Sequence, residues 1–207
     1  MVRYTSRYAH SQPSVRMLAV FLREPLAGSF CPLEPSTTFD HPAAWPVERL
    51  LAQCEVTRKR GSGPGGQHRN KVETAVVVEH TPSGIRGEAS ERRSQEENRK
   101  VALFRLRLKL AVDWPLEETT GPLEQTSPLW TSRTRGGKIS VNSEHPDFPA
   151  LLAEAFCWLR QSDWDAAGTA PQLGCSTSQL VKFLKQYPPA FARLNVERAS
   201  LGHSPLK

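Results

Sequence analysis

A chain of 207 residues, 38% hydrophobic and 23% charged, can bury one sizeable core or two small ones. No apolar run approaches the roughly 20 residues of a membrane-spanning helix, so a membrane partner is not expected. The formal charge of +6 is concentrated: from Gln53 to Ala111, 13 Lys/Arg stand against 7 Asp/Glu, and the remaining 14 of each sign cancel. One basic module in an otherwise neutral chain points to a polyanionic partner. Cys31, Cys54, Cys157 and Cys175 are scattered, with no Cys-x-x-Cys pair and no histidine at ligand spacing. Reduced thiols are expected, and no metal site or cofactor.

Residues 1–44 read as an irregular or disordered leader, broken by Pro25, Pro32, Pro35 and Pro42. Its first 23 residues hold Arg3, Arg7, Arg16 and Arg23 and no acid, a composition shared by organellar transit peptides and plain basic leaders. A short helix is predicted over Pro46–Ala52, then a strand over Cys54–Arg60, a glycine loop, and a helical turn over Asn70–Thr74. Ala75–His80 and Ile85–Ala89 read as a hairpin around Thr81-Pro82-Ser83-Gly84. Ser94-x-x-Glu97 is a capping box opening a long helix that Trp114-Pro115 ends. Its apolar stripe is Val101, Phe104, Leu108 and Ala111, widened by Leu103, Leu106 and Leu110. The pattern over 45–113 is thus a compact α+β unit.

Residues 114–147 read as a Pro/Thr/Gly/Ser linker in which Arg133-Thr134-Arg135-Gly136-Gly137-Lys138 is a solvated loop. Residues 148–207 are helical again. Ala150–Arg160 forms one helix, and the rhythm from Asp165 to Leu184 is that of a helix-turn-helix, with its turn at Gly174 and its second helix opening at Ser176. Only Lys182 and Lys185 are basic in that second helix, so the pattern favours a helical bundle or docking module over a nucleic-acid reader.

The loop Ser62-Gly63-Pro64-Gly65-Gly66-Gln67-His68-Arg69-Asn70-Lys71 carries the chemistry. Glycines let the backbone take positive φ and approach a crowded partner without a Cβ. Lys59, Arg60, Arg69 and Lys71 around it suit phosphate contacts that position without reading sequence. No Gly-Lys-Ser/Thr follows, which removes the phosphate-loop reading. His68 adjoins the tip, but no nucleophile–His–Asp set accompanies it. Alone, Gly-Gly-Gln marks a turn.

The longer pattern says more. Ser62-Gly-x-Gly-Gly-Gln67-x-x-Asn70, then Pro82-x-Gly84-Ile85, then Glu91-Arg92-Arg93-Ser94-Gln95-x-x-Asn98-Arg99, resembles the signature of class I peptide chain release factors and their ribosome-rescue relatives over residues 44–112. The resemblance implies a small release-factor-like α+β domain of strand, glycine loop, hairpin and long helix. It implies Gly65, Gly66 and Gln67 as the catalytic tip, Gln67 as a site of N5-methylation by a glutamine methyltransferase, and Arg92 and Arg93 as RNA-proximal. The implied activity is hydrolysis of the peptidyl-tRNA ester, with large-subunit ribosomal RNA and the CCA end of peptidyl-tRNA as partners. Only 64 residues precede Gly65, and they hold no stop-codon-reading tripeptide in a domain-sized context; Ser127-Pro128-Leu129 lies on the wrong side of the unit. Codon-independent rescue on cytoplasmic ribosomes is therefore expected, with the mitochondrial matrix as the alternative compartment. Two other readings stay open: a non-catalytic RNA-binding or ribosome-binding adaptor, and a stop-codon-dependent release factor.

Overall fold

The computed structural model describes residues 39–59, 74–114 and 123–207, which lie in one unit. Helix α1 (Val47–Leu51) precedes a three-stranded antiparallel sheet of β1 (Cys54–Lys59), β2 (Ala75–His80) and β3 (Ile85–Ala89), in spatial order β1-β2-β3. Pairing runs from Cys54–His80 to Lys59–Ala75 across the first pair of strands, and from Val76–Ala89 to His80–Ile85 across the second. The four-residue turn between β2 and β3 places Gly84 at φ +67°, a conformation glycine takes at no steric cost. Strand β1 stands at the sheet's edge, exposed from Glu55 to Lys59.

Helix α2 (Gln95–Asp113) is the hub. Ser94 caps it by accepting from the Glu97 amide, as the capping box predicts. One side lies on β2 and β3; the other packs against a 3-10 turn (Pro42–Ala44) and a later helix (Phe148–Gln161). Sandwiched this way, its buried set is wider than one stripe and is rotated from the expected one. Ala102, Leu106 and Leu110 are fully buried beside Leu108 and Ala111, whereas Val101, Leu103 and Phe104 are half-buried. The rotation follows from Gly87 in β3. A Cβ there would lie 2.5 Å from the Leu106 amide nitrogen and 2.8 Å from Leu106 Cβ, so the bare glycine sets which helical row sits closest to the sheet.

The end of the expected leader also belongs to the core. His41 is buried, its Nδ1 accepts from the Ala43 amide at 3.1 Å, and its ring stacks on Phe39 at 5.6 Å. Trp114 presents an edge contact to His41 and, at 5.2 Å, another to His80. Proline in the first turn suits the 3-10 geometry where an irregular segment was expected. Burial pushes His41 down to about 3 from 6.5, and lowers His80 as well. Between those two values the unfolded chain binds a proton that folded His41 refuses, so stability falls as pH drops below 6.5. The expected slope is about 1.4 kcal/mol per pH unit. Urea unfolding at about pH 7, 6 and 5, above the carboxylate range, reads it. The variant His41→Asn, which keeps an acceptor for Ala43, should flatten the dependence; a wild-type midpoint constant from pH 7 to 5 would contradict it.

The segment expected to be a linker is structured after residue 122. Helix α3 (Pro128–Arg133) leads into a hairpin of β4 (Thr134–Arg135) and β5 (Lys138–Ile139). Ser127 caps α3 through the Trp130 amide, and Pro128 takes the first helical position. The buried Glu154 carboxylate accepts from both the Ser127 amide (2.7 Å) and hydroxyl (2.5 Å), which locks that cap; desolvation nevertheless raises its pKa. Ser127-Pro128-Leu129 is thus a helix start. The expected loop around Gly136-Gly137 is instead a tight two-residue turn, with both glycines at positive φ as the twist of a short hairpin requires.

Four helices follow: α4 (Phe148–Gln161), α5 (Ala166–Gln172), α6 (Thr177–Lys185) and α7 (Pro188–Ser200). The helix-turn-helix rhythm corresponds to α5 and α6, with Gly174 at φ +64° in the turn and Ser176 capping α6. Their core is aromatic. Trp130 is buried from α3, donates Nε1–H to the Leu173 carbonyl at 2.8 Å, and meets Phe183 edge-on, while Phe148 also packs on Phe183. Arg198 is buried in α7, where it donates to the carbonyls of Trp164 and Ser204.

Candidate active site

Strand β1 ends at Lys59 and β2 begins at Ala75, and these two residues face each other as the last pair of the ladder. The intervening segment, 60–74, therefore leaves and returns at adjacent points on one end of the sheet. Counted along the chain, Gln67 is its central residue. Arg60, Gly65, Gly66, Gln67, Arg69 and Lys71 lie outside the described residues, as does most of the helical turn expected over Asn70–Thr74.

The described base of the loop is held by Asn98. This side chain is fully buried near the start of α2. Its Nδ2 donates to the carbonyls of Thr74 (2.7 Å) and Arg92 (2.8 Å), and its Oδ1 accepts from the Arg92 amide at 2.9 Å. One amide thus ties the returning end of the loop to the turn that carries Arg92 and Arg93. Both polar atoms of the amide are hydrogen-bonded, which is how a polar side chain comes to sit on a buried helical face. The sequence shows Asn98 only as part of Gln95-x-x-Asn98-Arg99. The signal for its role is a lone amide at a core position of an amphipathic helix.

Around this anchor the charge is positive. Lys59, Arg92 and Arg93 are all exposed. The structure brings Lys59 and Arg92 to the same end of the fold, linked by Ala75, Thr74 and Asn98. Arg58, which motif reading passes over although it adjoins Lys59, lines a cleft of about 310 Å³ with Val56, Gln95 and Arg99. Glu91 does not neutralise the arginines beside it, since it pairs with Arg105 at 2.7 Å, and that hydrogen bond holds its carboxyl below the usual range. Exposed cations of this kind contact phosphates along a backbone.

Among the described residues, no three His, Cys, Asp or Glu side chains could hold a metal. The two titratable groups on this sheet with displaced pKa values lie at its opposite end. Cys54, pushed up to about 11 by burial, pairs across the ladder with His80, which is hydrogen-bonded to Ser83 and Gln53. The described surface supplies charge and position at the loop's base.

The RF-1 domain profile matches residues 50–140, spanning the sheet, the loop, α2 and the β4–β5 hairpin. Over 129 residues the chain is 31% identical to the "Mitochondrial translation release factor in rescue" of Mus musculus, covering 62% of this chain and 69% of that protein. Over 65 residues it is 45% identical to the "Peptide chain release factor 1-like, mitochondrial" of Rattus norvegicus, covering 31% of this chain and 17% of that one. Among the described residues no helix is long and apolar enough to cross a membrane. With its α+β layer, its loop flanked by paired strands and its arginine turn in matching order, the chain belongs to the class I peptide chain release factor family.

Proposed function

We propose that the protein hydrolyses the ester of peptidyl-tRNA on the ribosome, acting as a codon-independent rescue factor. The observation that carries this reading is the Asn98 anchor. It fixes the base of a loop centred on Gly65-Gly66-Gln67 beside a cationic surface, in a family of release factors. Lys59, Arg92 and Arg93, with Arg60, Arg69 and Lys71, contact phosphates of large-subunit RNA and the CCA end. Gly65 and Gly66 admit the backbone to the ester. Gln67 presents its N–H to the carbonyl oxygen while water adds to the carbonyl carbon. Collapse of the tetrahedral intermediate breaks the bond to the ribose oxygen, which takes up a proton, leaving a peptide carboxylate and deacylated tRNA. Methylation of Gln67 by a glutamine methyltransferase would tune the fit of that side chain. The named relatives are mitochondrial; the chemistry is the same on cytoplasmic or matrix ribosomes.

The test is release of labelled peptide from ribosomes stalled on truncated message. Gly66→Ala is expected to lower release by about 100-fold or more, the scale of misplacing one oxyanion donor, and Gln67→Ala, which keeps the main-chain N–H but loses the side chain that fills the site, to lower it less. Equal rates in wild type and both variants would overturn the proposal. Release on truncated messages matching or exceeding that on stop-programmed ribosomes would support codon independence; release on stop codons alone would refute it.

A further inference from the structure

Of the seven acids between residues 123 and 207, four are engaged in holding that region together. Glu154 binds Ser127, Asp147 pairs with Arg133 at 2.5 Å, Asp165 caps α5 through the Ala167 and Gly168 amides, and Glu197 pairs with Arg193 at 2.7 Å. Arg135, Lys138, Lys182 and Lys207 are exposed and make no ion pair among the described residues. Segments 134–143 and 173–187, which include the β4–β5 hairpin and α6, contain no Asp or Glu. Glu144, exposed beside Asn142, is the nearby acid that makes no ion pair among the described residues, and Arg135, Lys138 and Lys182 outnumber it, so the surface is net positive.

The fold gathers these cations. The Gly136-Gly137 turn sets Arg135 and Lys138 directly opposite each other. Like charges in that relation disfavour the pair, and a bound polyanion reverses that sign. Gly137 bridges to Cys175, just ahead of α6, so the hairpin is pinned to that helix. Between them lies a cleft of about 550 Å³ whose lining includes Ile139, Ser140, Asn142, Gln179 and Lys182. One turn further along α6, Lys182 and Lys185 share a groove with Lys207.

We infer that hairpin β4–β5 and helix α6 form a second RNA-binding face, which takes the phosphodiester backbone independently of the glycine loop. The choice of RNA over other polyanions rests on the proposed work at the ribosome. The cations lie on a hairpin and a helix, so their spacing is set before binding and little side-chain-bearing backbone has to be ordered. Polar groups in the cleft between them accept or donate to riboses and splayed bases, the usual complement to phosphate contacts on single-stranded RNA.

The test uses the full chain, with ribosome co-sedimentation and deacylated tRNA filter binding from about 50 to 200 mM salt. Arg135→Gln/Lys138→Gln/Lys182→Gln is expected to bind ribosomes on the order of tenfold more weakly, with a log–log salt slope shallower by about two to three. Lys182→Glu alone should weaken binding more than Lys182→Gln, a charge-sign dependence that a packing role would not give. Loss with ribosomes only assigns the face to ribosomal RNA; loss with both probes adds tRNA. Unchanged affinity and slope with both probes would overturn the inference. The readout is binding, so a wild type that bound but released no peptide would sink the hydrolase reading and leave this one standing.

Discussion

Gly87→Ala is expected to lower the melting temperature by about 6–12 °C, and Gly87→Val to abolish folding at physiological temperature. The added Cβ would meet backbone on the facing helix, the Ala102 carbonyl and the Leu106 amide, with no flexible side chain there to yield. Either β3 lifts from α2 or the helix bends, and both separate Val76 and Val78 from Ala102 and Leu106. Overpacking a well-filled core costs about 1–3 kcal/mol, and a clash against main chain belongs at or above the upper end. At about 2–4 °C per kcal/mol for a chain of this size, that gives the stated range. Thermal unfolding followed by circular dichroism measures it. A melting temperature within about 2 °C of wild type for the alanine variant would show that sheet and helix do not approach as described.

Asn98→Ala is expected to cost about 2–4 kcal/mol and to lower peptide release by more than its effect on folding explains. Truncation leaves the Thr74 carbonyl and both main-chain groups of Arg92 without their partner, each worth about 1–3 kcal/mol if water cannot replace it. The informative comparison is Asn98→Asp. That change preserves shape and the acceptor for the Arg92 amide, but sets a carboxylate oxygen against the two carbonyls that Nδ2 now serves. Aspartate should therefore rescue nothing, and should be the worse of the two at neutral pH. Urea midpoints and single-turnover release, taken where each variant is fully folded, separate the two effects. Wild-type release from folded Asn98→Asp would remove the anchor from the argument.

What could be read from the sequence was what is local. The hairpin of β2 and β3 follows from β-branched runs flanking a turn, and the start of α2 from Ser94 and Glu97 three positions apart in the motif. The second helix of the C-terminal pair follows likewise from Gly174 and Ser176. What escaped depends on partners distant along the chain. Trp130 looks like a stray aromatic in a polar stretch until Leu173, 43 positions away, accepts its N–H. Ser127 becomes a cap worth keeping only once Glu154 is buried against it. The buried row of α2 could not be phased from periodicity, because Gly87 chooses it from another element. The site divides the same way. Motif order identifies the loop and the Arg92–Arg93 turn, but the bond that joins them runs from Asn98 to Thr74, across 24 positions. The hairpin's cations were visible as letters; that they make no ion pair among the described residues, with Asp147 taken instead by Arg133, became visible only in the fold.

Helix α2 has a core on each side, and this bears on how the molecule comes apart. Leu106 and Leu110 belong to the same continuous cluster as Phe148, Leu152 and Phe183, so neither the sheet nor the C-terminal helices own a separate interior. Cutting the chain after Asp113 would strip one wall from the helix that anchors the loop. Dissection into two separately folding halves is therefore closed off by cooperativity: damage to the packing on either side of the helix is felt on both.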